Sequence, residues 1–318
     1  MRLVSYRRGR ATPRLGALVT VAGEEVVLDL QRLAIDMAQE RGTVRRGRSF
    51  PGTMLGLIEG GPALWQEARE IVGHGRGLAE RGGIDALTGG RLGLPLKQAR
   101  LEAPIPRPPR NVFCLGRNYA EHAAERGAEA PTHPVYFTKA PECVVGPDAP
   151  VTHHAATKEL DHEVELAVVI GQTGRDIARA EALGHVFGYT IVNDVTARDL
   201  QKRHQQWFKG KSMDTFCPMG PVLVTADEIP DPQALEIALR VNGETRQKSH
   251  TSRMIFPVDQ CIEVLSQGFT LRPGDVIATG TPQGVGAATG RFLKVGDKME
   301  AEVEKIGVLE NKIARPQE

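Results

Sequence analysis

Beyond residue 110 the chain is cut into short apolar runs, NVFCLG, VELAVVIG, HVFGYTIVND, MGPVLVTADE, LEIALRVNG and GDVIATG, most of them bounded by Gly, Pro or Asp. Such runs are of strand length and rich in β-branched residues, whereas a doubly wound fold needs long helices alternating with its strands. Only Ala178 to Leu183 with its flanks and Pro257 to Ser266 read as helices in this part. The expectation is an α+β, predominantly β fold. Glycine, 35 of 318 residues, and proline, 21, supply the turns without any fixed period, which excludes collagen and coiled coil.

Ahead of these runs lie three more strand candidates, LVSYRR, RLGALVTV and EEVVLDL, then helices around Gly61 to Val72 and Ile84 to Thr88. Between the two parts sits LEAPIPRPPR, whose Pro104, Pro106, Pro108 and Pro109 remove backbone donors and favour an extended path. The expected division is therefore an N-terminal α+β cap, residues 1–105, and a catalytic domain, 106–318. Charge changes across the same point: residues 1–110 hold 18 Lys/Arg against 11 Asp/Glu, the remainder 22 against 28. Over the whole chain 40 against 39 leaves no electrostatic footprint for nucleic acid or an anionic membrane. The basic run Arg41, Arg45, Arg46 and Arg48 reads as a solvated loop or pairing surface. Cys114, Cys143, Cys217 and Cys261 form no C-x-x-C pair, which argues against a zinc ribbon or disulfide scaffold. With no apolar stretch near the ~18 residues of a membrane span, the expectation is a reducing, cytoplasmic protein.

Chemistry concentrates in five places. In DHEVELAVVIG, strand alternation puts Glu163 and Glu165 on one face that continues into apolar packing, where paired like charges need a cation or a proton. Asp194 ends the run HVFGYTIVND, and three oxygen ligands without cysteine suit Mg2+ or Mn2+ better than zinc. In RNYAEHAAERG, His122 and Glu125 stand at i and i+3, so on a short helix the carboxylate can orient the imidazole as a general base. Gly116 and Gly127 would let that segment move as a lid. Lys211, in the turn-rich WFKGKSMDTFCPMGP, could hold a carboxylate or stabilise an enolate. GDVIATGTPQGVG lacks a phosphate-loop lysine, and its glycines would instead let backbone N–H groups and Thr281 approach a carboxylate.

Taken together, GRNYAEHAAE (116–125), DHEVELAVVIG (161–171), GYTIVNDVTARDLQ (188–201), KGKSMDTFCPMGP (209–221) and TGTPQGVG (279–286) resemble the fumarylacetoacetate hydrolase family, in its acylpyruvate hydrolase and 2-hydroxyhepta-2,4-diene-1,7-dioate isomerase-like branch. The resemblance implies a mixed β-roll or barrel-like catalytic domain, usually homodimeric. It implies a site for Mg2+, Mn2+ or Ca2+ at Glu163, Glu165 and Asp194, a lid dyad at His122 and Glu125, and substrate oxygens held by Arg198, Gln201, Lys211 and Thr281. The aspartate that fumarylacetoacetate-cleaving animal enzymes carry upstream of the lid has no match in GRNYAEH, which disfavours fumarylacetoacetate itself.

The expected activity is hydrolysis of the C3–C4 bond of a 2,4-diketo acid of the acylpyruvate or fumarylpyruvate type. His122, oriented by Glu125, would take a proton from water while Lys211 stabilises enolate charge. The alternative is decarboxylation or isomerisation of oxaloacetate-like or 2-hydroxydienedioate substrates of aromatic catabolism, which uses the same enolate without water attack. A non-catalytic, metal-dependent keto-acid binder would need the three acids but not the dyad.

Overall fold

The computed structural model describes residues 1–316 apart from 10, 43–49, 90, 126 and 128. Arg45, Arg46 and Arg48 of the basic run fall outside the described residues, while Arg41 pairs with Glu70 at 3.6 Å.

The apolar runs become strands. In chain order the first part forms β1 (Arg2–Arg7), β2 (Arg14–Val21), β3 (Glu24–Asp29) and β4 (Gly93–Pro95). The second part forms β5 (Val112–Gly116), β6 (Val135–Lys139), β7 (Val164–Ile170), β8 (Val186–Asn193), β9 (Cys217–Thr225) and β10 (Glu236–Val241). It continues with β11 (Glu244–His250), β12 (Val276–Ala278), β13 (Lys298–Val303) and β14 (Gly307–Ala314).

A 12-stranded mixed sheet follows the order β4-β3-β2-β1-β9-β8-β7-β12-β5-β6, with two short strands attached beside it. β1 pairs antiparallel with β9, so one sheet runs from the N-terminal strands through to the centre of the second part. A second sheet runs β11-β10-β13-β14 and ends on Val151–Thr152. The central strands β7 and β8 are buried along their whole length, which is why their sequences lack the polar alternation of a strand wetted on one face. By contrast β10 and β13 alternate strictly in exposure.

Helices pack where the sequence is amphipathic. α1 (Leu30–Glu40) starts at Asp29, whose carboxylate accepts from Arg32 N, and buries Leu30, Leu33, Ala34 and Met37 at helical spacing. α2 (Met54–Glu59) precedes α3 (Gly61–Gly89), in which the non-helical backbone of Gly82 and Gly83 separates two helices, as the sequence led one to expect, the first running on past Val72 to the break. The second part contributes α4 (Ala120–Glu125), α5 (Arg198–Arg203), α6 (Phe208–Lys211) and α7 (Val258–Ser266). The stretch expected as a helix near Ala178 is a 3-10 helix, Arg179–His185. No helix among the described residues is long and apolar enough to cross a membrane.

Candidate active site

The site is built at the ends of two long strands, β7 and β8, buried along their whole length. β7 and β8 pair antiparallel with Val164 opposite Asn193, so Glu163 and Asp194 lie just beyond the ladder on adjacent chains. Asp194 N donates to the Glu163 carbonyl at 2.8 Å, and Glu163 N donates to the Asn193 side chain at 2.9 Å. The carboxylate oxygens of Glu163, Glu165 and Asp194 come within 4.8 Å of one another, and all three residues are buried.

Three cations face this trio. Lys211 Nζ donates to Glu163 at 2.6 Å and to Asp194 at 2.5 Å. Lys139, at the end of β6, donates to the other Asp194 oxygen at 2.6 Å and to the carbonyl of Lys211, and is wholly buried. Arg198, at the start of α5, donates to Glu163 at 2.5 Å and to Asp161 at 2.8 Å. Asp161 in turn accepts from Gly286 N at 2.6 Å and Ala287 N at 2.9 Å.

This arrangement splits the carboxylates. Burial would raise the Glu163 carboxyl, but Arg198, Lys211 and His122 outweigh it and hold the group well below the usual range. Asp161 is lowered likewise, burial being overcome chiefly by Arg198. Glu165 goes the other way: burial first, then the charges of Asp194 and Glu163, push it well above the usual range, and Lys211 and the Gly280 N–H only partly oppose them. That N–H, 2.8 Å away, is the hydrogen bond Glu165 receives. Lys139 is raised, burial being outweighed by Asp194.

A divalent cation fits these residues. The trio is an all-oxygen donor set, and Glu165 is a buried acid whose charge no side chain among the described residues neutralises directly, which is the imbalance a hard cation removes. Glu163, Glu165 and Asp194 would be the holders.

The dyad lies beside the trio. His122 Nδ1 meets the Glu125 carboxylate at 2.8 Å, and the other Glu125 oxygen accepts from Gly284 N at 2.8 Å. His122 is buried and close enough to lower the Glu163 carboxyl. The approach to α4 is fixed by Asn118, whose side chain donates to the carbonyls of Thr279 (2.7 Å) and Phe256 (2.9 Å) and accepts from Phe256 N (2.7 Å). Gly280, at φ +96, passes so close that a Cβ there would meet the Asn118 Cβ at 2.6 Å.

The remaining expected residues sit around this centre. Gln201 accepts from Arg198 at 3.2 Å. Thr281 Oγ1 donates to the Val164 carbonyl at 2.9 Å and accepts from Gln247 at 2.8 Å, so in this state it braces β7. The backbone N–H groups of the TGTPQGVG loop do approach carboxylates, and these are the protein's own: Glu165, Glu125 and Asp161. Sequence reasoning missed Lys139, Asp161, Asn118 and Gln247. The one local signal was a lysine closing the aromatic strand VYFTK.

Residues 111–314 match the family model described as fumarylacetoacetate (FAA) hydrolase C-terminal. Oxaloacetate tautomerase YisK of Bacillus subtilis is 45% identical over 298 residues, covering 92% of this chain and 94% of that protein. A fumarylacetoacetate hydrolase structure from Exiguobacterium antarcticum aligns with a TM-score of 0.74 at 37% identity, over 99% of this chain and 100% of the other. The fumarylpyruvate hydrolase of Pseudomonas aeruginosa, solved in complex with Mn2+ and pyruvate, aligns at 0.62 and 36% identity, over 66% of this chain and 91% of that one. The chain belongs to the fumarylacetoacetate hydrolase family. The α+β fold expected from the sequence is the fold of that family's solved structures.

Proposed function

We propose that the protein is a divalent-metal-dependent enzyme that interconverts the keto and enol forms of oxaloacetate-like 2-oxo dicarboxylic acids. The observation that carries this reading is the hydrogen-bonded His122–Glu125 pair set against the buried acid trio. The likeness to a tautomerase over almost the full length of both chains supports it. Glu163, Glu165 and Asp194 would hold the cation, which would supply stabilisation of negative charge on an enolate oxygen. Glu125 engages Nδ1 of His122, leaving Nε2 to take the C3 proton of the keto acid and hand it to the C2 oxygen as the enol forms, the opposite transfer restoring the keto acid. Lys211, held between Glu163 and Asp194, places an ammonium beside the developing charge. Gln201, which accepts from Arg198, then orients a substrate oxygen, while Arg198 holds Glu163 and Asp161 in place and Thr281 braces the strand end.

Hydrolysis of acylpyruvates is the second reading, favoured by the same dyad, which can activate water, and by the similarity to a fumarylpyruvate hydrolase. Residues 1–105 as a cap on a catalytic part 106–318, and a homodimer, belong to the same proposal, and sedimentation checks the latter. The deciding experiment loads the protein with Mg2+ or Mn2+ and follows enol-oxaloacetate by its ultraviolet absorbance, beside an acylpyruvate panel with products identified. Fast decay of the enol without pyruvate release supports tautomerisation. Pyruvate from acylpyruvates with no effect on the enol would replace it with hydrolysis.

A further inference from the structure

A cavity of about 190 Å³ opens beside the acid trio, lined by Arg117, Arg198, Gln201, Lys202 and Trp207. Its lining holds three cations and no carboxylate. Arg198 lines it, is buried and donates to Glu163, so the cavity and the trio share this one side chain and the cavity is the neighbouring space for the far end of an acid held at the trio. An apolar acyl tail gains nothing from such a wall, whereas a second carboxylate is matched by it in charge and, at a guanidinium, in shape.

The three cations are not equivalent. Arg198 is committed to Asp161 and Glu163, and Lys202 pairs with Glu159 at 3.1 Å. Arg117 has no carboxylate partner among the described residues. It instead lies over the ring of Trp207, its Cζ 5.9 Å from the centroid. Trp207 meets Phe137 edge-on at 5.1 Å, and Lys211 Nζ sits 5.0 Å from the Phe137 ring, so a cation–aromatic stack runs from the trio out to Arg117.

Two backbone features support this placement. A Cβ on Gly116 would meet Trp207 at 2.5 Å, so the indole can pack there only against glycine. Arg117 itself is held at φ +59, a conformation that non-glycine residues adopt at a cost.

We propose that Arg117 is the specificity-determining residue of this enzyme, gripping the distal carboxylate of a short 2-oxo dicarboxylate. The inference rests on the 2-oxo acid reading of the site given above. It requires only that such acids bind at the trio, whichever reaction follows. The test uses the full chain loaded with Mn2+ and equilibrium titration with malate and lactate, which differ by one distal carboxylate. Wild type should prefer malate. Arg117→Met should reduce the malate-to-lactate affinity ratio by about ten- to a hundredfold, the scale of a lost charge-assisted hydrogen bond, and Arg117→Lys should restore part of it. Arg117→Gly is the second variant, since glycine removes the guanidinium while accepting the left-handed backbone. A wild type without preference for malate, or an unchanged ratio in the folded Met and Gly variants, would overturn the assignment. Failure of tautomerisation with the malate preference intact would instead overturn only the reaction proposed above.

Discussion

The acid trio and the His122–Glu125 pair occupy one site and are held in opposite ways. Glu163 and Asp194 close a seven-residue ladder between two fully buried strands, and Lys211, Lys139 and Arg198 fix their oxygens from three sides. The dyad rides on α4, six residues long, far below the length at which a helix persists on its own. It is fastened at its approach by Asn118 and at its end by the bond from Gly284 N to Glu125, with one exposed ion pair, Glu121 to Arg253, beside it. On the proposed function, the trio as holder of an ion needs a fixed geometry before anything binds, and the dyad as mover of a proton must admit a substrate beneath it. The difference in fastening follows that division of labour.

The largest effects should come from the trio, and they should separate its members. Asp194→Ala is expected to abolish Mn2+ binding and also to leave the buried Lys139 without its carboxylate, destabilising the protein by about 3–5 kcal/mol. Glu165→Gln should abolish Mn2+ binding just as fully yet leave stability unchanged or higher, because it removes the one carboxylate with no direct cation. Calorimetric titration and urea unfolding measure both, and equal destabilisation would break the contrast. His122→Ala comes next: turnover should fall by about 10²–10⁴-fold while Mn2+ affinity is retained, as steady-state kinetics on the metal-saturated variant will show.

A pH effect of about tenfold per unit sharpens the comparison further. Glu165 is raised in the folded, metal-free protein, so that state binds more protons than the unfolded chain. Stability contributed by this group is therefore greatest at low pH and declines as pH rises from the unfolded value through the folded one. A cation displaces the same proton, so Mn2+ affinity should rise with pH over that window, with proton release visible as buffer-dependent binding enthalpy. The smallest effect concerns motion. With Mn2+ and oxalate bound, hydrogen exchange in residues 116–125 should slow several-fold while that of β7 stays as it was. Equal slowing in both would mean that α4 is no looser than the strands.

Much of the site was legible because its motifs are local. E-x-E on a strand, an acid at a strand terminus and H-x-x-E on one helical turn each follow from backbone periodicity, and the structure brings Glu163, Glu165 and Asp194 together beside His122 and Glu125. What escaped were the groups that make those residues tolerable inside the protein. Lys139 reaches Asp194 across 55 positions and Arg198 reaches Asp161 across 37. Arg198 and Lys211 read in sequence as hands for a substrate, and in the folded chain both already hold carboxylates.

The pattern of apolar runs by itself determined that this chain is built of short strands, since side-chain alternation, β-branching and turn residues act within a few positions. The order of those strands was decided only by tertiary structure, including the antiparallel pairing that sets β1 beside β9. So was the sign of each buried carboxyl. Burial penalises a charge wherever it lies, and which acid is relieved depends on cations delivered from distant segments, leaving Glu163 ionised by Arg198 and Lys211 and Glu165, two residues away, without such relief.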